Sequence, residues 1–484
     1  MLKLDRYTKL GIFALLSGHL LAAYFSFGYH HPDEHFQILE WAHYFIGLAP
    51  DASHLPWEFA SQIRPWFQPL CHAFFMKAAL ILGIYNPFEL AFFFRLIYAA
   101  LNIWSVMALW NYFQEKYELS SKWFLLTSLI WFFPYIHVRT SSENLAGIFL
   151  SFALLTLVKN QNSLKSFFQA GVLFGFAFLA RYQIALGLLG LGTVLLISDR
   201  GLKKTHTLLI AGFVLPIGLG VLLDRWGYGN WVFTPYQYFK VNLVDHVADR
   251  FNPYPWYQYF IWVAQLNPFI SLPLFYGVIR FSLKNKTNVF TGFIFSFFIL
   301  HCFITNKEYR FLLPVMNIAP FMAAAYFETV VWTPLFLAYY TLTNLLAFGI
   351  SSFHGASTQT FWPAHVVNQH FRSYPHSTWF SNRNYLYEKH EGYYDLKAVP
   401  GFEPHDMRIY HSDSELKSFL TLNPDSNVLI DGNLKDPLTQ SFIQVIETLH
   451  CSLISSAFPK ILSEKTKVTY QALYHCTISD SHHE

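Results

Sequence analysis

The sequence predicts an all-α polytopic membrane protein of about eleven crossing helices that ends in a small α/β unit. Three observations carry this expectation. Only 13% of the 484 residues are charged, about half of the roughly 25% usual in soluble domains. Long apolar runs recur through residues 1–350, whereas 351–484 is polar and rich in histidine. The small Lys/Arg clusters between the runs fall on one side of a membrane once the runs are threaded as helices. A mean hydropathy of +0.27 averages over two unlike parts.

A spanning helix takes roughly 20 apolar residues. The N-terminus has a basic start and an apolar stretch but no small-x-small cleavage pattern, so it reads as a retained first helix rather than a signal peptide. Runs near 8–28, 89–112, 123–138, 144–158, 167–181, 183–198, 206–223, 266–281, 289–304, 311–327 and 331–350 are the candidate spans. The run at 70–85 is ambiguous. Treating it as a surface or re-entrant helix keeps Lys3/Arg6/Lys9, Lys116/Lys122, Lys159/Lys165, Arg200/Lys203/Lys204 and Arg280/Lys284/Lys286 together. The N-terminus is then cytoplasmic and, by parity, the tail is extracytoplasmic. The outer face receives the loop 29–88, the turns at Arg139 and Arg181, the loop 224–265, the turn 305–310 and the tail.

Two domains are therefore expected, a transmembrane part over 1–350 and an extracytoplasmic part over 351–484. In the tail, 427–431 and 467–470 read as strands and 438–453 as an amphipathic helix. Of the four cysteines, Cys451 and Cys476 lie in the tail; the reading favours two free thiols there over a pair. The sequon Asn285-Lys286-Thr287 falls in a cytoplasmic loop and is expected to be unmodified. A net charge of +3 without a Lys/Arg-dense stretch excludes nucleic acid as a partner.

The unusual polar residues gather on the outer face. His31-Pro32-Asp33-Glu34-His35 follows the first span, with adjacent carboxylates beside imidazoles. Crowding and burial are expected to raise a carboxylate pKa there and make a base near neutral pH. Two other readings stay open at this point: Asp33 as part of a helix N-cap after Pro32, and His31 with Glu34 or His35 as metal ligands on one helix face. Arg64, between aromatics, suits either snorkelling or a phosphate. Arg139 with Glu143, and Arg181, break apolar stretches, and membrane-edge arginines tend to be functional; pairing of Arg139 with Glu143 is the plain alternative. Lys307-Glu308-Tyr309-Arg310 packs three charges into one turn, suited to an anionic lipid phosphate or to a mutual ion-pair cluster. The aromatic-rich loop after Asp224 suits sugar stacking or an interface belt. Together these imply an anionic lipid carrier, a basic phosphate cradle and a carboxylate pair on the outer face, which fits glycosyl transfer. A transporter or flippase for a lipid-linked sugar is the alternative, and there polar groups should line a path near the bilayer midplane.

The chain resembles the family-22 glycosyltransferases, the dolichyl-phosphate-mannose-dependent enzymes of GPI-anchor and N-glycan precursor assembly. The likeness covers about residues 10–350 in the family's order. It rests on His31-Pro32-Asp33-Glu34-His35-Phe36-Gln37, on Arg64 with Pro69, and on Arg139-Thr140-Ser141-Ser142-Glu143-Asn144. It continues through Asp224 and 226–235 with Asn242 and Pro253-Tyr254-Pro255-Trp256-Tyr257, then Lys307-Glu308-Tyr309-Arg310-Phe311-Leu312-Leu313-Pro314. The His-Pro-Asp-Glu spelling is most similar to the GPI mannosyltransferase branch. Two departures stand out: Asn306 where the family has His before Lys-Glu, and Pro after Arg64 where it has Ser.

The resemblance implies a GT-C fold, an inverting mannosyltransferase, a dolichyl or other polyprenyl phosphate-mannose donor, and a lipid-linked glycan acceptor such as a GPI precursor. It implies Asp33 as general base with Glu34 as its neighbour, and Lys307 and Arg310 facing the donor phosphate. His31, Arg64, Arg139, Arg181, Asp224 and Glu308 complete the expected substrate-binding set. No metal or cofactor is assigned. The compartment expected is the endoplasmic reticulum, facing the lumen, in a eukaryote, and the inner (plasma) membrane, facing outward, in a bacterium.

Overall fold

A computed structural model describes residues 5–49, 51–52, 55–159, 163–198, 201–328, 333–353, 356–374, 377–382, 407–457, 460–465 and 469–477. Lys3, Arg200, Lys467 and Val468, which figure in the sequence reading, lie outside them. The chain forms two compact units. One comprises Met1–Ser26, His30–Met76 and Phe92–Phe353; the other comprises Phe27–Tyr29, Lys77–Ala91 and His354–Glu484.

The first unit is helical, and helix lies on each of the eleven apolar runs. The protein is a multi-pass membrane protein. Among the described residues, Arg6–Phe25, Pro87–Tyr117, Ser142–Lys159, Lys204–Tyr228 and Pro334–Ser352 are long and apolar enough to cross a bilayer by themselves. The pair Tyr309–Val315 and Ala319–Phe327, bent by 67°, adds one broken span. Length and composition alone thus identify five or six of the eleven expected crossings among the described residues. The reason is helix length. Ile184–Ser198 and Val289–Phe303 have 15 residues each, about 22 Å of rise against a hydrocarbon core of about 30 Å. The same holds for Phe67–Ile81, the segment expected not to cross. The run 123–138 is interrupted between Ser121–Ser128 and Phe132–His137, where the Asn344 side-chain oxygen accepts the Trp131 N–H at 2.9 Å.

Small residues set the crossings. A Cβ on Gly212 would lie 2.2 Å from the Phe168 carbonyl oxygen, so Leu164–Ala180 and Lys204–Tyr228 touch backbone to backbone. Ile184–Ser198 and Val289–Phe303 meet likewise, with the Gly190 Cβ position 2.2 Å from the Gly292 oxygen. In a membrane, where lipid competes equally for apolar contact, such close approach is what holds helices together. An aromatic core of Trp110, Phe113, Phe124, Phe290 and Phe321 fills the interior.

The second unit contains a five-stranded sheet in the order β2-β1-β3-β5-β4, with β1 Thr378–Ser381, β2 Met407–Ile409, β3 Asp425–Gly432, β4 Ser452–Ser456 and β5 Tyr470–Thr477. The first three strands are parallel and the last two antiparallel to their neighbours. The expected strand 427–431 lies inside β3. The expected helix 438–453 is shorter, Pro437–Thr448; its apolar face buries Phe442, Ile443 and Ile446, and the chain after it turns into β4. Cys451 and Cys476 are joined in a disulfide, which corrects the expectation of two free thiols. Sheet pairing brings them together: the β4–β5 register sets Ser452 opposite His475, each the chain neighbour of a cysteine.

The bridge closes a 25-residue separation, and loop-closure entropy of that length is worth about 3 kcal/mol. Non-reducing peptide mapping is expected to recover a linked Cys451–Cys476 peptide, and Cys476→Ser to destabilise this unit by roughly that amount.

Candidate active site

The first helix, Arg6–Phe25, ends at Ser26, and helix resumes at Pro32, whose fixed φ suits a first helical position and whose missing N–H costs nothing there. His31 stands at the N-cap of this turn, its ring Nδ1 3.2 Å from the Asp33 backbone nitrogen and 3.4 Å from Asp33 Oδ1. The cap is therefore His31 and not Asp33, which leaves the Asp33 carboxylate to face other segments. A π-helical turn, His35–Leu39, follows and is closed by a buried His35–Glu40 pair at 2.8 Å. His35 and His31 thus diverge instead of sharing a helix face toward one ion.

The 3-10 helix Tyr309–Val315 brings in the opposing charge. It lies against Ser142–Lys159 at Gly147, where a Cβ would sit 3.1 Å from the Pro314 carbonyl oxygen. That approach sets Arg310 against Glu143, in the first turn of Ser142–Lys159. Arg310 then binds three carboxylates. Nη2 lies 2.6 Å from Asp33 Oδ2, Nη1 lies 3.0 Å from Glu143 Oε1, and Nε donates to Glu308 Oε2. The same Glu143 oxygen takes Arg181 Nη2 at 3.1 Å. His31 Nε2 is 3.1 Å from Glu308, and Arg64 is 3.9 Å from both Asp33 and Glu58.

All of these charged residues but Glu143 border a cavity of about 620 Å³. Its polar side carries His31, Asp33, Glu58, Arg64, Arg181, Glu308 and Arg310; Phe178, Leu186, Phe239 and Phe311 form an apolar wall. Burial alone would push the Asp33 carboxyl up, but Arg310, then His31 and Arg64, outweigh it and hold the group well below the usual carboxylate range. The expected raised carboxylate is instead Glu34, lifted by burial to about 7. Adjacency in sequence does not tell the two apart; only Asp33 reaches the three cations. Burial disfavours the His31 cation, yet hydrogen bonds to Asp33 and Glu308 raise it to about 9. Glu308 is likewise opposed by burial but brought down to about 2 by His31 and Arg310.

Four expected residues are not among the cavity's lining residues. Glu34 is buried behind Asp33, accepts the His30 N–H and lies 3.9 Å from Arg139. Arg139 covers the Tyr135 ring at 4.8 Å, and Asn144 donates to its carbonyl at 2.7 Å. Asp224 accepts the Trp66 N–H at 2.7 Å and the Thr234 hydroxyl at 2.6 Å. Lys307 donates to the carbonyls of Tyr254 and Ile304. Glu143, offered by the sequence as a partner for Arg139, is taken by Arg181 and Arg310. Sequence reasoning missed Glu58 and Tyr238. Glu58 had a signal, an isolated carboxylate between aromatic residues; Tyr238, 5.6 Å from the Arg64 guanidinium, had none.

Four carboxylates (Asp33, Glu58, Glu143, Glu308) face three guanidiniums and an imidazole kept protonated, so the cluster is close to neutral as it stands. An ionised carboxylate among cations, beside an apolar wall, suits proton removal from a hydroxyl next to a bound anion.

Residues 11–378 match the Alg9-like mannosyltransferase family. Similar proteins include GPI alpha-1,2-mannosyltransferase 3 of Xenopus laevis, 25% identical over 326 residues, 65% of this chain and 59% of that one. GPI mannosyltransferase 3 of Drosophila melanogaster is 25% identical over 298 residues, 60% of this chain and 51% of that one. The chain thus matches a little over half the length of these relatives. Among solved structures, ArnT from Cupriavidus metallidurans bound to undecaprenyl phosphate aligns over 99% of each chain at 10% identity and a TM-score of 0.49.

Two outcomes are expected. Arg310→Met leaves buried carboxylates uncompensated and should destabilise by about 3–5 kcal/mol, read as a fall in thermal unfolding temperature. His31 gains its proton affinity on folding, so its contribution is complete below an unfolded value near 6.5 and lost as pH rises through about 9. Unfolding temperature should therefore decline over that window, and His31→Gln should flatten the decline.

Proposed function

The chain belongs to the Alg9-like mannosyltransferase family, and from that premise we propose that it is an inverting mannosyltransferase. It moves mannose from a polyprenyl (dolichyl) phosphate to a hydroxyl of a lipid-linked glycan, a GPI precursor being the acceptor that the relatives' names suggest. The observation that carries this reading is Asp33, kept ionised by Arg310 at the edge of a cavity that also presents Arg64 and Arg181.

Asp33 is the general base. It takes the proton of the acceptor hydroxyl as that oxygen bonds to the anomeric carbon, opposite the phosphate. The bond from carbon to phosphate oxygen breaks, and its electron pair leaves with the polyprenyl phosphate. Arg310, Arg64 and Arg181 meet the charge of that departing group. A phosphate that draws Arg310 away from Asp33 raises the proton affinity of the carboxylate when it must accept a proton. Glu308 and His31 orient Arg310 and Asp33. Glu34, whose carboxyl is raised by burial, accepts the His30 N–H behind the base. Lys307 shapes the turn through its two carbonyls, and Arg139 backs Glu34.

The proposed setting is a GT-C architecture of about eleven crossings, some tilted or paired to make up for short helices. Residues 1–350 form the catalytic part and 351–484 an extracytoplasmic part. The Cys451–Cys476 bridge supports a tail in an oxidising compartment, and with it a site on the lumenal or extracytoplasmic face. That membrane is the endoplasmic reticulum in a eukaryote and the inner (plasma) membrane in a bacterium.

Purified protein in lipid is expected to transfer radiolabelled mannose from polyprenyl-phosphate mannose to a GPI-type lipid acceptor without a membrane gradient. Asp33→Asn should lower the transfer rate by about a hundred- to ten-thousand-fold. Undiminished transfer by that variant would remove Asp33 from the role of base.

A further inference from the structure

Asp224 was expected to bind substrate, yet both of its oxygens are spent inside the protein. The residue is 1% exposed. It sits in the last turn of Lys204–Tyr228, together with Gly227 and Tyr228 on one helix face, at the spacing i, i+3, i+4. All three grip the segment Arg64-Pro65-Trp66. Asp224 Oδ1 accepts the Trp66 N–H at 2.7 Å. Tyr228 donates its hydroxyl to the Arg64 carbonyl at 2.8 Å. Gly227 lies under the Trp66 indole, where a Cβ would come within 2.2 Å of ring atoms.

The Trp66 N–H is a donor with no helical partner. It precedes Phe67–Ile81, so it belongs to the first backbone donors that a helix leaves unpaired. Pro65 has no N–H, which leaves the Trp66 N–H as the next backbone donor after Arg64. Burying it without an acceptor would be costly. Asp224 supplies that acceptor and so fixes where Arg64 leaves the backbone.

The second oxygen ties in two further segments. Asp224 Oδ2 accepts the Thr234 hydroxyl at 2.6 Å, and the Thr234 and Tyr182 hydroxyls lie 2.6 Å apart. Tyr182 is the chain neighbour of Arg181. Asp224 thus holds the segment of the cavity residue Arg64 directly and reaches that of the cavity residue Arg181 through the Thr234 and Tyr182 hydroxyls.

We propose that Asp224 is a positioning residue that sets the spacing of Arg64 and Arg181, and with it the grip on the donor phosphate, without touching substrate. The proposal rests on the mannosyltransferase reading for its kinetic consequence and on geometry alone for the clasp.

The test uses the full chain in lipid, with two readouts. In kinetics with polyprenyl-phosphate mannose, Asp224→Ala should raise the donor KM about tenfold, while acceptor KM stays within about threefold. A fold defect would reduce the active fraction and leave KM alone. Asp224→Asn keeps an oxygen for Trp66 and offers an amide N–H to the Thr234 oxygen, so it should recover most of the lost affinity. The second readout needs no activity. In a Cys71→Ala background, Arg64→Cys should react with a maleimide about tenfold faster once Asp224→Ala is added, as a buried clasp opens. If Asp224→Ala does not reach the membrane, Tyr228→Phe removes the bond to the Arg64 carbonyl and should move both readouts in the same direction.

An Asp224→Asn variant as impaired as Asp224→Ala would show that the charge itself meets substrate, overturning the proposal. Unchanged labelling would overturn it as well. Faster labelling in a protein that transfers no mannose, wild type included, would uphold the clasp and overturn the transferase reading instead.

Discussion

The site depends on one buried guanidinium. Arg310 binds Asp33, Glu143 and Glu308, and the first two stand 277 and 167 residues away in the chain. A cation taken out of water needs several good partners, and removing one side of such a cluster costs far more than the pair contributes when intact. The fold has to deliver three carboxylates to one point. A capped turn at His31, the first turn of Ser142–Lys159 and the close approach at Gly147 together do so.

That demand shapes the electrostatics of the cavity. With four carboxylates against three arginines and His31, the phosphate of the proposed donor would meet cations already in use. It has to compete with Asp33 for Arg310 instead of filling a bare positive hole. In the proposed mechanism, that competition lets one residue pair bind the donor and alter the proton affinity of the base. The placement of these partners also explains why Asp33 is lowered and Glu34 raised although they are neighbours. Charge partners and burial act on side chains in space, with no regard for order along the chain.

Behind the cavity, buried polar ties hold the segments that present the charges. Asn102 donates to Asn144 at 3.0 Å, and Asn144 donates to the Arg139 carbonyl. Asn317 joins them by donating to Asn102 at 3.0 Å. Asp224 serves the same end at the Arg64 and Arg181 segments. Such groups are costly in a membrane interior unless satisfied, so their presence marks the places where backbone geometry must be exact to within a fraction of an ångström.

The sequence by itself determined that the chain is a helical membrane protein with a polar α/β tail, and where its long apolar helices lie. Apolar length and Lys/Arg placement are local properties, and they act on each segment separately. It also determined most of the residues that meet at the cavity, since His31, Asp33, Arg64, Arg181, Glu308 and Arg310 stood out as charges beside apolar runs. Tertiary structure alone decided their partners. It gave Glu143 to Arg181 and Arg310, turned Asp224 and Lys307 inward to backbone groups, added Glu58 and Tyr238, and joined Cys451 to Cys476. The physical reason is that pairing is set by distances between segments far apart in the chain, and those distances come from helix crossings and strand register, which no local pattern contains.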